Sequence, residues 1–327
     1  MNLPSPKYSL PENAQIVSIG PGEFHRVLHL LETAFPDVSR TFFHALIHND
    51  PFYNPRFTLA IQLGNRLVSC LHVFDRRLAF QDKVIHAGGI GSVGTHPRYR
   101  GRGFASILLQ HAEELLRQEG MHTAFLFTKI QPFYERLGWR ILPQWEQVIP
   151  LDRLQPVRPA GSVYRPLVPT DIPFLHDLYV NRQTQCGGTL IRTRAYWEKR
   201  STWMSHTGMI VLCDQQPCAY LYGAKYREDQ SILTITEFAT VLPDPDTLGT
   251  LAGAMARLAE EKKCTRLRGF FLQDPDFGAY AQSQGWLEEE HPFPYLMWRD
   301  LGDRSWFSDL HQAAQEKKFL YWQTDAF

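Results

Sequence analysis

Three arginines and three glycines share the run Val93-Gly94-Thr95-His96-Pro97-Arg98-Tyr99-Arg100-Gly101-Arg102-Gly103-Phe104-Ala105, directly ahead of an apolar stripe. Leu108, Ala112, Leu115 and Leu116 recur at helical spacing, so the run predicts a strand, a Pro-marked turn, a basic glycine loop and a helix N-terminus. The first amides of a helix have no acceptor within it and lie at the positive end of its dipole. Gly101 and Gly103 let backbone approach a ligand closely, and Arg98, Arg100 and Arg102 add charge. This combination suits a pyrophosphate. The plain alternative is a solvated basic turn. A nucleic-acid surface is disfavoured, because 34 basic residues are balanced by 34 acidic ones and such binding usually shows as domain-wide basicity. The loop also lacks the Gly-Lys-Ser/Thr of a P-loop and the Gly-x-Gly-x-x-Gly of a dinucleotide site.

The same residues resemble the acyl-coenzyme A loop of the GCN5-related N-acetyltransferase family, whose Arg/Gln-x-x-Gly-x-Gly/Ala core falls here on Arg100, Gly103 and Ala105. Pro132-Phe133-Tyr134-Glu135-Arg136-Leu137-Gly138-Trp139 is similar to a second family segment, Phe-Tyr-x-x-x-Gly-Phe/Trp. The resemblance implies acetyl-CoA as co-substrate, held by Val93, Gly94, Thr95, Arg98, Arg100, Gly101, Arg102, Gly103, Phe104, Ala105 and Phe133. Backbone N–H groups around Val93 and Thr95 would serve the thioester carbonyl and the pantetheine. Tyr134 is implied as the general acid for the departing thiolate, to which a phenol with a pKa near 10 is well matched. As plain structure, Tyr134 would be an aromatic packed between Phe133 and Trp139. The glutamate that many relatives carry on the strand before the loop is absent from Gly88-Gly89-Ile90-Gly91-Ser92-Val93. The general base therefore stays open among His72, His86, His96, Glu237 and the terminal carboxylate of Phe327.

Composition sets broader limits. The chain of 327 residues is 44% hydrophobic and 13% aromatic, enough for two packed α/β domains. No apolar run reaches the length of a membrane span, and the start, with Pro4, Pro6 and Pro11, has no signal-peptide core. Five scattered cysteines form no C-x-x-C pair, and the thirteen histidines show no H-E-x-x-H spacing, so no metal site is expected. Free cysteines make a reducing, cytoplasmic setting the default.

These residues need elements to position them. Strands are expected at Gln15–Ile19, Phe57–Gln62, Leu67–Asp75 and Leu78–His86, then a glycine-dense strand ending at Thr95. Glycines so close together in a strand point to a bulge or a close backbone approach. Helices are expected over Phe24–Phe35, Arg40–His48, Phe104–Gln118 and Pro132–Leu137, with a buried strand at Thr123–Thr128. The second half repeats this order, and Gly285-Trp286 echoes Gly138-Trp139. That pattern predicts a tandem duplication: an N-terminal arm (1–13), a catalytic domain (14–155), a degenerate copy (162–300) and a docked tail (301–327). The fold class is α/β (α+β), two acyl-CoA N-acyltransferase-like domains, each a mixed sheet flanked by helices.

In the second copy, Val241-Leu242-Pro243-Asp244-Pro245-Asp246 stands where the loop should be. Prolines lack donors and aspartates repel phosphate, so this copy is expected to wall the acceptor site instead. The arrangement resembles Eis-like tandem acetyltransferases, although too few residues follow Arg299 for their sterol-carrier-like domain. The implied activity is acetyl transfer to a primary amine of a small molecule or peptide. A catalytically silent acyl-CoA-binding module is the alternative, and a homo-oligomer is compatible with either. Glu288-Glu289-Glu290 and Asp274-Pro275-Asp276 are the acidic runs available to a cationic acceptor.

Overall fold

The structure, a computed structural model, describes residues 9–157, 163–183, 186–204, 208–226, 229–293, 295–302 and 304–325. Two sheets organise it. The first half supplies β1 (Ala14–Ser18), α1 (Phe24–Ala34), α2 (Arg40–His48), β2 (Thr58–Leu63), β3 (Arg66–Phe80) and β4 (Lys83–Thr95). It continues with α3 (Phe104–Gln118), β5 (Thr123–Phe127), α4 (Gln131–Glu135), β6 (Arg140–Ile141) and β7 (Gln144–Pro150). The second half contributes β8 (Val163–Pro166), α5 (Ile172–Gln183), β9 (Thr189–Leu190), α6 (Arg194–Met204), β10 (Gly208–Cys213) and β11 (Gln216–Ala224). After it come β12 (Ile232–Thr240), α7 (Pro245–Glu261), β13 (Arg266–Gly269), α8 (Pro275–Ser283), β14 (Glu289–Phe293), β15 (Leu296–Asp300) and α9 (Trp306–Gln315).

The first sheet runs β1-β2-β3-β4-β5-β15-β6, with β9 pairing the end of β3; the second runs β14-β7-β13-β12-β11-β10-β8. The two halves therefore exchange strands. The chain leaves the first sheet after Ile141 and enters the second at Gln144, where β7 pairs antiparallel with β13 and β14. It returns through β15, which pairs with β5 and β6. The sequence boundaries at 155 and 162 are thus not sheet boundaries, since each sheet contains a strand from beyond them. Of the Pro/Gly-containing linker expected at 156–161, residues 158–161 lie outside the described residues.

Alternation explains the layers. On β5, Ala124 and Leu126 join the core under α3, while Phe125 faces the opposite side and packs with Trp298 and Tyr321. Leu108, Leu109, Ala112 and Leu116 of α3 fill that first core, and Phe24, Val27, Leu28 and Leu31 of α1 fill another against β3. Phe319, Leu320, Tyr321 and Trp322, near the end of the chain, are buried. Two sequence readings need correction. Leu78–His86 is not a separate arm: β3 runs on to Phe80, turns at Gln81-Asp82, and β4 continues from Lys83 to Thr95 without a break. Cys213 and Cys218 are not free. They form a disulfide across the β10–β11 turn, whereas Cys70, Cys186 and Cys264 are buried thiols.

Candidate functional site

The glycine-dense strand opens the sheet. Gly88 lies where an added Cβ would stand 2.6 Å from the Leu116 methyls, so α3 packs close to β4 there. Parallel pairing of β4 with β5 covers only Ala87 to Gly89. Beyond it, the β3–β4 register shifts so that Ser92 and Val93 both stand opposite Leu71, and Ser92 has a φ of +53°. This is a bulge, and the strands on either side of the opening are no longer laddered to each other.

The N-terminus of α3 stands at this opening. Gly101 and Gly103 have φ values of +76° and +79°, a region that suits glycine, and Gly103 is the N-cap residue. No side chain caps the helix. Its first amides therefore point at whatever fills the adjoining cleft. That cleft, of about 540 Å³, is lined by Val93, Thr95, Arg100, Gly101, Gly103, Phe104, Ala105, Phe133 and Tyr134, together with Ala34, Phe35 and Tyr99.

Tyr134 forms part of the cleft wall from α4. It is 5% exposed, edge-on to Phe133 and Trp139, and burial pushes its hydroxyl up to about 12. The phenol thus keeps its proton throughout the neutral range. Gly138, at φ +86°, turns the chain from α4 into β6 and leaves room for Arg299. Arg299 comes from the exchanged strand β15. Its Nη1 donates to the Gly138 carbonyl at 3.0 Å and its Nε to Glu113 of α3 at 3.3 Å, so it ties the turn after α4 to α3. Sequence spacing gave no hint of this contact, because the partners lie more than 150 residues apart.

The arginines of the loop part company. Arg100 folds back, its Nη2 donating to the Ala34 carbonyl at 2.9 Å and its Nε to that of Thr95, which fastens the loop to the end of α1. Arg102 lies over the Tyr99 ring at 5.2 Å. Arg98 lines a neighbouring basic groove with Arg26, Arg66, His25 and His29. Gly94 lies outside the cleft, packed against Leu31, Ala34 and Phe35.

The open positions for a base are dispersed. His72 is 1% exposed, with Nδ1 2.8 Å from the Thr58 hydroxyl; burial, Arg76 and His48 push it down to about 3. It is a neutral core histidine beside Tyr53 and Phe74. His86 pairs with Asp75 at 2.9 Å, seven residues back from Val93, or roughly 23 Å along the strand. His96 caps the turn before Arg98 by accepting its N–H. Glu237 is fully buried and clasped by both Arg192 nitrogens at 2.7 and 2.6 Å and by the Tyr220 hydroxyl at 2.7 Å. Arg192 also holds Asp325 of the tail, so this cluster locks the C-terminal segment in place. Phe327 lies outside the described residues.

In the second sheet, the helix corresponding to α3 is α7, and its N-terminus is closed. The Asp244 carboxylate accepts the N–H groups of Asp246 and Thr247 at 3.1 and 3.0 Å, occupying the place an anion would take. Sequence reading missed a second cavity, of about 830 Å³, where the chain crosses between sheets. Phe127, Thr128 and Lys129 line it from the end of β5, Glu146 from β7, Arg268 from β13, and His291, Pro292 and Phe293 from β14. Phe127 to Lys129 line this cavity, whereas the next residue, Ile130, lines the cleft.

An opened parallel strand pair, an uncapped helix N-terminus and a buried tyrosine on the wall define a cofactor-type cleft in a tandem N-acyltransferase-like fold. Residues 15–142 match the family described as "Acetyltransferase (GNAT) domain", and this part of the chain is a GNAT acetyltransferase domain. Solved structures extend the likeness over both sheets. A GCN5-related N-acetyltransferase from Anabaena variabilis aligns with a TM-score of 0.66 at 18% identity, over 88% of this chain and 73% of that one. Eis1 from Mycobacterium abscessus aligns at 0.61 and 12% identity, over 88% and 73%. The Saccharomyces cerevisiae N-myristoyltransferase with bound myristoyl-CoA aligns at 0.58 and 14% identity, over 89% and 83%. No curated protein matches the sequence. At these identities the structures establish the fold: two mixed sheets flanked by helices, arranged as tandem acyl-CoA N-acyltransferase-like units.

Proposed function

We propose that the protein is an acetyl-CoA-dependent N-acetyltransferase acting on a primary amine of a small molecule or peptide. One observation carries the reading: the α3 N-terminus is left without a side-chain cap and opens into a cleft shared with Tyr134, whereas Asp244 fills the equivalent place on α7. The residues fit the donor. The pyrophosphate would meet the amides at Gly103 to Ala105, and the pantetheine arm would lie along the unpaired edge of β4 near Val93 and Thr95. The amine nitrogen attacks the thioester carbonyl carbon directly, the C–S bond breaks, Tyr134 gives its proton to the departing sulfur, and the proton the nitrogen loses as the amide forms restores the Tyr134 hydroxyl. The second unit, which is not a CoA site in this reading, walls the acceptor side.

The test is release of free thiol from acetyl-CoA with a panel of primary amines, alongside calorimetric binding of acetyl-CoA. Binding with amine-dependent thiol release is expected. Binding without turnover on any amine would instead support a silent acyl-CoA-binding module. Turnover with longer acyl-CoA thioesters only would move the donor toward that of the yeast enzyme.

A further inference from the structure

Beside the loop that follows β4 lies a groove of about 720 Å³ whose lining contains no carboxylate. Three elements build it. From α1 come His25, His29 and Thr33, which recur every fourth residue and so share one helix face. The start of β3 brings Arg66, and the loop after β4 brings His96 and Arg98. The walls are braced against each other. The His96 N–H donates to the Val68 carbonyl at 3.0 Å, and Arg26 Nη2 reaches from α1 to Gln62 Oε1 and the Asn65 carbonyl at 3.1 and 3.2 Å. We propose that this groove binds a multiply charged phosphate, a diphosphate or bisphosphate carried on a small organic body, as a ligand separate from the acyl donor. The inference stands apart from the acyl-transfer reading above.

Charge is the first support. Arg26 has a carboxylate partner in Glu23, but neither Arg66 nor Arg98 pairs with one among the described residues. Desolvation and then the charges of Arg66, Arg98, His29 and Arg100 hold the His96 imidazole below its ordinary value, so these cations share one uncompensated field. Two unpaired guanidinium groups call for at least a dianion. Donor geometry is the second support. His96 Nδ1 accepts the Arg98 N–H at 3.2 Å, which leaves Nε2 as the protonated nitrogen of the neutral ring and a donor to an incoming oxygen. Donors arriving from three elements suit a phosphoryl group, whose oxygens point in several directions, whereas a carboxylate offers two in one plane. Size is the third. Thr33 lies eight residues beyond His25, so the α1 wall is about 12 Å long, enough for more than one phosphoryl group. Leu30, Leu67 and Pro97 give an apolar surface for the organic part.

The experiment titrates inorganic pyrophosphate into the full chain by calorimetry, with the cleft saturated by CoA in one arm and by dephospho-CoA, which lacks the 3′-phosphate, in the other. Binding of one pyrophosphate per chain is expected in both arms, weakening as ionic strength rises. Succinate, a dianion with planar carboxylates, should bind about tenfold more weakly. Arg66→Glu and His29→Ala change exposed positions. The first should lower pyrophosphate affinity by about tenfold or more and the second severalfold, with CoA affinity unchanged. Absence of binding in both arms, equal affinity for succinate, or indifference to both substitutions would overturn the site. Binding in the dephospho-CoA arm alone would give the groove to the cofactor's own 3′-phosphate and overturn the separate ligand. Should neither form of CoA bind wild type, the proposed function fails, while the two substitutions still decide the groove.

Discussion

Residues of one type in this site do different work. Arg98, Arg100 and Arg102 look alike in sequence, yet one lines a separate groove, one fastens the loop to α1 and one lies on Tyr99. In the proposed reading the pyrophosphate would therefore be held by backbone amides more than by guanidinium groups. Tyr134 carries the sharpest residue-scale prediction. Tyr134→Phe keeps the ring packed against Phe133 and Trp139 and removes only the proton donor. Turnover should fall about a hundredfold with acetyl-CoA affinity unchanged. Because the hydroxyl is pushed up to about 12, the acid limb it controls stays protonated through pH 10. A wild-type rate that declines well below that pH reports another group. Equal turnover in the two proteins would leave Tyr134 as packing alone.

At the scale of elements, the two helix N-termini form an internal control. Both α3 and α7 follow a sheet strand and point their first amides outward, but Gly103 caps one with nothing and Asp244 caps the other with its own carboxylate. Gly103→Pro should abolish acetyl-CoA binding in calorimetry, since proline is locked near φ −65° where the loop needs +79°. Near-native binding would remove the loop from the site. Asp244→Ala should cost about 1 kcal/mol of stability as a lost cap and leave acetyl-CoA affinity unchanged. The loop, its helix and the Phe133-Tyr134 segment were legible in sequence because each is local: glycine placement, helical period and short spacing suffice. The base was not, since His72, His86 and Glu237 differ from reactive groups only in what surrounds them.

For the whole molecule, the strand exchange decides how the halves depend on each other. Without β15, β5 and β6 lose their shared neighbour and Phe125 loses Trp298; without β7, β13 and β14 lose theirs. Open strand edges of that kind aggregate. A fragment ending at residue 157 should therefore be insoluble or unfolded when expressed alone, and co-expression with 158–327 should restore soluble protein and acetyl-CoA binding. A soluble N-terminal fragment with full acetyl transfer would show that β15 is dispensable, and that Arg299 need not join α3 to the turn after α4.

What the sequence determined by itself was everything encoded within a few residues. It placed the loop and both helix boundaries around it, the repeat of element order, and the loss of the loop from the second copy at Pro243 to Asp246. The tertiary structure alone decided three further matters. It showed that the copies trade strands, that Arg299 reaches back to Glu113, and that Glu146, His291 and Phe127 meet in one cavity. The physical reason is common to all three. Strand pairing depends on backbone hydrogen bonds that any residue but proline can make. The choice of partner strand therefore leaves little local trace, and side chains brought together by that choice carry no shared spacing along the chain.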